Sequence, residues 1–104
     1  MKRYIKSSKQ PIVISDLETE IRNALYKIMQ EPHFGYPLDE AKEYTFVSAG
    51  YDENDDIEVE VRAEVTYDGL VEIMERLNPI VKQYDRYAYF DAVTGGVIKA
   101  IIER

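Results

Sequence analysis

Between Ile57 and Tyr67, apolar and charged side chains alternate without a break: Ile57, Val59, Val61, Ala63, Val65 and Tyr67 stand against Glu58, Glu60, Arg62, Glu64 and Thr66. Residues two apart on a strand share a side, at roughly 6.8 Å for a rise of about 3.4 Å per residue. The stretch therefore reads as a strand with one dry face and one face bearing three carboxylates and a guanidinium. A slip of one residue would bury that charged row, so the register is strongly specified. Whatever the rest of the chain does, it must cover the dry face and leave the other to water or a partner.

The flanking segments supply that cover. Tyr44 to Tyr51 is strand-like, and the polar stretch from Asp52 to Asp56 joins it to the alternating stretch as an antiparallel hairpin. Pro11, Ile12, Val13 and Ile14 read as a brief strand, with proline at the first position, where its missing donor is tolerated. Ser15 and Glu18 have the spacing of a capping box, and Leu17, Ile21, Ala24, Leu25, Ile28 and Met29 follow at helical spacing. Pro32 closes that helix, His33 to Pro37 forms a loop with aromatic anchor points, and Asp39 to Lys42 is expected as a helical turn.

Asp68 is expected to cap a second helix carrying Leu70, Ile73, Met74, Leu77, Ile80, Val81 and Tyr84, which Pro79 kinks or breaks. Tyr87 to Val93 reads as a strand, Thr94 to Gly96 as a turn, and Val97 to Ile102 as the last strand. This order predicts an α+β two-layer sandwich: ferredoxin-like βαββαβ plus a C-terminal strand, an antiparallel sheet with two helices on one face. Residues 1–10 are expected as a basic mobile segment, with 11–104 forming a single α+β domain.

Charge narrows the functional classes. The formal net charge is −7, yet Lys2, Arg3, Lys6 and Lys9 fall within the first nine positions. The remaining nine basic and twenty acidic residues carry −11. From Asp39 to Glu64, ten acids face Lys42 and Arg62, a local balance of −8. Such a surface disfavours direct nucleic-acid binding, which depends on cationic side chains. The chain has no cysteine, which excludes disulfides and thiolate metal sites. No apolar run reaches the roughly 20 residues of a membrane span, and the first ten residues lack a signal-peptide core, so a cytoplasmic location away from membranes is expected.

No catalytic constellation stands out. Asp52, Asn54 and Asp56 match the first ligand positions of a calcium loop, but Ile57 takes the place of the turn glycine and Ala63 that of the closing glutamate. His33 is the lone histidine and no serine has a nucleophile-elbow context, which leaves a packed or exposed loop histidine. Gly95 and Gly96 lack the spacing and the lysine of a phosphate loop and fit a hairpin turn. Tyr84, Tyr87, Tyr89 and Phe90 are the densest aromatic cluster, suited to a sheet core or a partner interface.

The reading is a small acidic protein without enzymatic activity, cofactor or metal. It would bind a basic protein surface through Asp52, Glu53, Asp55, Asp56, Glu58, Glu60 and Glu64, with Tyr87 and Tyr89 as aromatic contacts. The opening Met1-Lys2-Arg3-Tyr4-Ile5-Lys6-Ser7 resembles the starts of small proteins carried by phages and mobile elements, a group that includes acidic inhibitors of host nucleases. That resemblance implies an inhibitor that mimics nucleic acid and occupies the nucleic-acid site of a host defence nuclease. The alternative is an oligomeric enzyme or ligand-binding subunit with its site between protomers.

Overall fold

The computed structural model describes residues 11–103, and the expectations for residues 1–10 lie outside them. The chain runs α1 (Ile14–Met29), α2 (Leu38–Glu43), β1 (Thr45–Tyr51), β2 (Ile57–Ala63), α3 (Tyr67–Tyr84), β3 (Asp91–Thr94) and β4 (Val97–Ile102). The four strands form one antiparallel sheet in the order β1-β2-β4-β3, an α+β architecture. The alternation in β2 is realised as read: Ile57, Val59, Val61 and Ala63 are buried, and Glu58, Glu60 and Arg62 are not. Across the sheet Val47 sits opposite Val61, and Ala100 and Ile98 sit opposite Val59 and Val61, so the dry face is continuous.

Both long helices turn an apolar stripe into the core with that face, α1 through Leu17, Ile21 and Leu25, α3 through Leu70, Ile73, Leu77 and Val81. Each such side chain contributes about 1.5–3 kcal/mol when fully buried. The outer edge of β1 is protected by α1. Glu18 Oε1 accepts the Ala49 N–H at 3.3 Å, and Arg22 donates to the Val47 carbonyl at 3.2 Å while pairing with Glu18 at 2.6 Å. Two edge groups that could template another strand are thereby occupied. Among the described residues, no helix is long and apolar enough to cross a membrane.

Several boundaries differ from those read in the sequence. Residues 11–13 form no strand and Ile14 is already helical, because the Val13 carbonyl accepts from both Asp16 and Leu17 and starts the helix there. Ser15 therefore lies inside α1, Val13 is the N-cap without a side-chain cap bond, and Glu18 reaches sideways to β1 rather than back to Ser15. No strand precedes α1 among the described residues. β2 ends at Ala63, with the Glu64 N–H making one further bond in the same register to the Tyr44 carbonyl, and Thr66, not Asp68, caps α3 by accepting from the Gly69 N–H at 3.1 Å.

Tyr67 is consequently the first residue of α3 and 70% exposed rather than on the dry face. α3 runs through Pro79 unbroken. The carbonyl that Pro79 cannot serve belongs to Glu75, and both residues lie on the solvent side, where water can take the bond. The strand expected from Tyr87 starts only at Asp91, since Tyr87 and Ala88 are drawn into a turn by the buried Asp85. Its carboxylate accepts from the Tyr87 N–H at 3.0 Å and its carbonyl from the Ala88 N–H.

Candidate partner-binding surface

The acidic turn between β1 and β2 uses part of its charge internally. Asp52 Oδ1 accepts from the N–H groups of Asn54 at 2.9 Å and Asp56 at 3.0 Å, and the Asp52 N–H donates to the Asp56 carbonyl. This side-chain-to-backbone turn is what aspartate favours in loops. Asp55 takes a left-handed conformation, φ +66°, which aspartate tolerates better than most residues. An oxygen that a calcium loop would aim inward is committed here to backbone donors. Glu53 is exposed at the tip.

The row on β2 is also partly neutralised, by a cation that lies distant in sequence. Lys99 sits opposite Glu60 on β4, with its ammonium 3.8 Å from Glu58 and 3.9 Å from Glu60. Arg62 donates to Glu60 at 2.6 Å and lies 5.7 Å from the Phe46 ring centroid. Cross-strand pairs of opposite charge stabilise a sheet and reduce the field it projects. Glu64 lies past the end of β2 and takes no part in this lattice.

Tyr87 and Tyr89 are 72% and 57% exposed, which corrects the sheet-core option for both, whereas Ala88 and Phe90 between and after them are buried. Each exposed ring has a cation near it, Arg86 at 4.7 Å from Tyr87 and Lys82 at 6.0 Å from Tyr89. Asp85 links Tyr87 to Glu103 by accepting from both backbones, and Ile102 pairs with Ile57, so Tyr87 and the acidic turn lie at the same end of the sheet.

A second concentration of acids lies at the opposite end, where α2 meets the sheet. Glu43 pushes the Tyr44 phenol above its ordinary range, by its charge and then by a hydrogen bond, with smaller contributions from burial and from the charges of Glu40 and Glu64. Beside it, the Tyr36 and Tyr44 rings lie 5.8 Å apart and the Tyr36 hydroxyl donates to the Glu64 carbonyl at 3.0 Å. Tyr36 also lines an open cleft of about 350 Å³ with His33, Phe34, Asp68, Gly69 and Glu72.

Gly69 lets the loop approach α3 this closely: a Cβ there would stand 3.0 Å from Phe34 and 3.3 Å from Val65. Ion pairs fasten the same loop. Arg76 donates to both oxygens of Glu31 and to Glu72 at 3.3 Å, and His33 Nε2 lies 2.8 Å from Glu72. Arg76 holds the Glu31 carboxyl below its usual range.

Of the residues singled out in the sequence, Glu64 is the one that joins this second group. Glu40, Glu43, Asp68 and Glu72 were outside the predicted set. The signal for the loop was present in its aromatic density, His33, Phe34 and Tyr36 within four residues, but nothing local marks Asp68 or Glu72 as its partners. Glu31, His33 and Glu72 also bring one potential ligand atom each within 4.8 Å of one another, residue types suited to a divalent metal. Arg76 is already bound to two of the three, so a metal would have to displace a guanidinium. No protein-family model, curated protein or solved structure matches the chain.

Proposed function

We propose that this is a small acidic, non-enzymatic binding protein that engages a basic protein surface. The observation that carries the reading is the grouping of Glu40, Glu43 and Glu64 around Tyr44, whose phenol is raised above its ordinary range chiefly by the charge of Glu43, with Glu40 and Glu64 adding less. Opposed potentials of this kind steer a charged partner and fix its orientation. A groove built for phosphates is one basic surface of the right sign. An inhibitor that mimics nucleic acid on a host nuclease is the narrower form of the proposal, since a fixed negative surface can occupy such a groove. For the architecture, a two-layer sandwich is supported by α1 and α3 sharing the dry face. The ferredoxin-like order would need a strand ahead of α1.

The test is capture on the immobilised protein at about 0.15 M and about 1 M salt, where the screening length falls from about 8 Å to about 3 Å. A variant carrying Glu40→Lys, Glu43→Lys and Glu64→Lys serves as the control. A basic protein retained at low salt, released at high salt and lost on the variant is the expected result. Retention indifferent to salt and to all three reversals overturns the proposal.

A further inference from the structure

Resting on that reading, we propose that the cleft between the 33–36 loop and the first turns of α3 receives an arginine side chain of the basic partner. Its walls combine two aromatic rings, Phe34 and Tyr36, with two carboxylates, Asp68 and Glu72. Aromatic faces and carboxylates together select a cation, and a planar guanidinium can stack on the one while hydrogen-bonding the other.

The charges on the cleft have different amounts to spare. Glu31, behind it, is taken up by Arg76, and Glu72 meets both Arg76 and His33 through one oxygen, Oε2. Asp68 is exposed and makes no ion pair among the described residues. The amino end of α3 would by itself favour an anion, but two carboxylates in its first two turns repel one. The Glu72–Arg76 contact shows that one of the two already accepts a guanidinium donor from its own chain. The cleft also opens beside the Tyr36–Tyr44 pair, so a partner drawn to the Tyr44 acids would bring its side chains to this mouth.

The experiment is a backbone amide NMR titration of the intact protein with arginine amide, lysine amide and citrulline amide, each acetylated at its α-nitrogen so that the last is a neutral relative of arginine. Arginine amide should give saturable shifts confined to residues 33–36 and 66–72. Lysine amide should bind about fivefold more weakly for want of a planar fork. Citrulline amide should give none. Asp68→Asn should weaken arginine binding about fivefold or more. Gly69→Ala, which pushes on Phe34 and narrows the cleft, should also weaken it, while Asp91→Asn on exposed β3 should not change it.

Equal arginine shifts at the acidic turn and in the cleft would show unspecific attraction and overturn the proposal. So would site-specific shifts with zinc chloride in the absence of any with arginine, since the Glu31, His33 and Glu72 group would then be a metal site. If arginine amide fails to bind while the Tyr44 acids still mediate salt-sensitive capture of a basic protein, the cleft assignment falls and the binding function stands. Binding of arginine amide without any such capture would give the reverse.

Discussion

The row on β2 and the group around Tyr44 contain the same kinds of residue and differ in what faces them. Glu58 and Glu60 project from a strand whose neighbour brings Lys99 between them and whose own Arg62 reaches back to Glu60. Glu40, Glu43 and Glu64 converge on a phenol instead, and their charge is registered there as a raised proton affinity. A run of acids in sequence is therefore a poor guide to a negative field. The field depends on which cations the fold brings across, and the sheet supplies them to one acidic region and not to the other. Antiparallel pairing of β2 with β4 places Lys99 opposite Glu60, whereas α2 carries Lys42 on an exposed position without an ion pair among the described residues.

The sharpest way to break this comparison is to remove the strand that holds the row. Val61 is fully buried opposite Val47 and Ile98. Val61→Asp puts a carboxylate there without a partner and should cost more than about 3 kcal/mol, enough to unfold much of the population in a chain of this size. Glu60→Lys, one residue away on the other face, sets a third cation beside Arg62 and Lys99 and should cost only about 1 kcal/mol. Thermal melts showing equal losses would mean that the two faces are not distinct.

A smaller effect compares the two lysines. Lys99→Glu creates a like-charge cluster with Glu58 and Glu60 and should destabilise by about 1 kcal/mol, or about 4–8 °C in melting temperature, less at high salt. Lys42→Glu should stay within about 0.5 kcal/mol because that lysine pairs with nothing in the described chain. Equal shifts for the two would show that Lys99 holds the row no more firmly than an unpaired surface charge does.

The sequence makes the interior of this sheet legible because strand period is a local property: Val59 and Val61 declare their face by the residues beside them. Its ends were not legible. The alternation continues to Tyr67, whereas β2 stops at Ala63 and the chain turns into α3, whose start is fixed by the Thr66 hydroxyl accepting from the Gly69 N–H. The same limit applied to Ser15 and Glu18, whose spacing fits a capping box while the β1 edge, formed by residues much later in the chain, offers Glu18 a better donor. Site residues followed this pattern. The aromatic loop was visible, but its carboxylate partners Asp68 and Glu72 are defined only when the loop folds onto α3. Lys99 neutralises Glu58 and Glu60 only once β4 is seated beside β2.

The smallest effect separates the two acid environments by their physical cause, using two phenols as reporters. Tyr84 is pushed up to about 12, by burial first and then by its 2.8 Å hydrogen bond to Glu20, with the charges of Glu20 and Asp16 adding less. Tyr44 is raised chiefly by the charge of exposed Glu43. Long-range charge effects at exposed sites are screened by salt, and desolvation is not. Phenolate absorbance followed with pH should therefore show the Tyr44 transition moving down towards its ordinary range as salt rises from about 0.05 M to about 1 M, with Tyr84 nearly fixed. Tyr44→Phe and Tyr84→Phe assign the two transitions.

The sign of the stability effect follows from the same shift. A phenol whose pKa is higher folded than unfolded contributes stability that is fully present below pH 10 and is lost as pH rises through about 12. Tyr84→Phe should abolish that alkaline loss while costing about 1 kcal/mol at neutral pH for the missing hydrogen bond. A Tyr44 transition that ignores salt would mean that Glu40, Glu43 and Glu64 project no field worth a partner's attention, and the distinction between the two acidic regions would collapse.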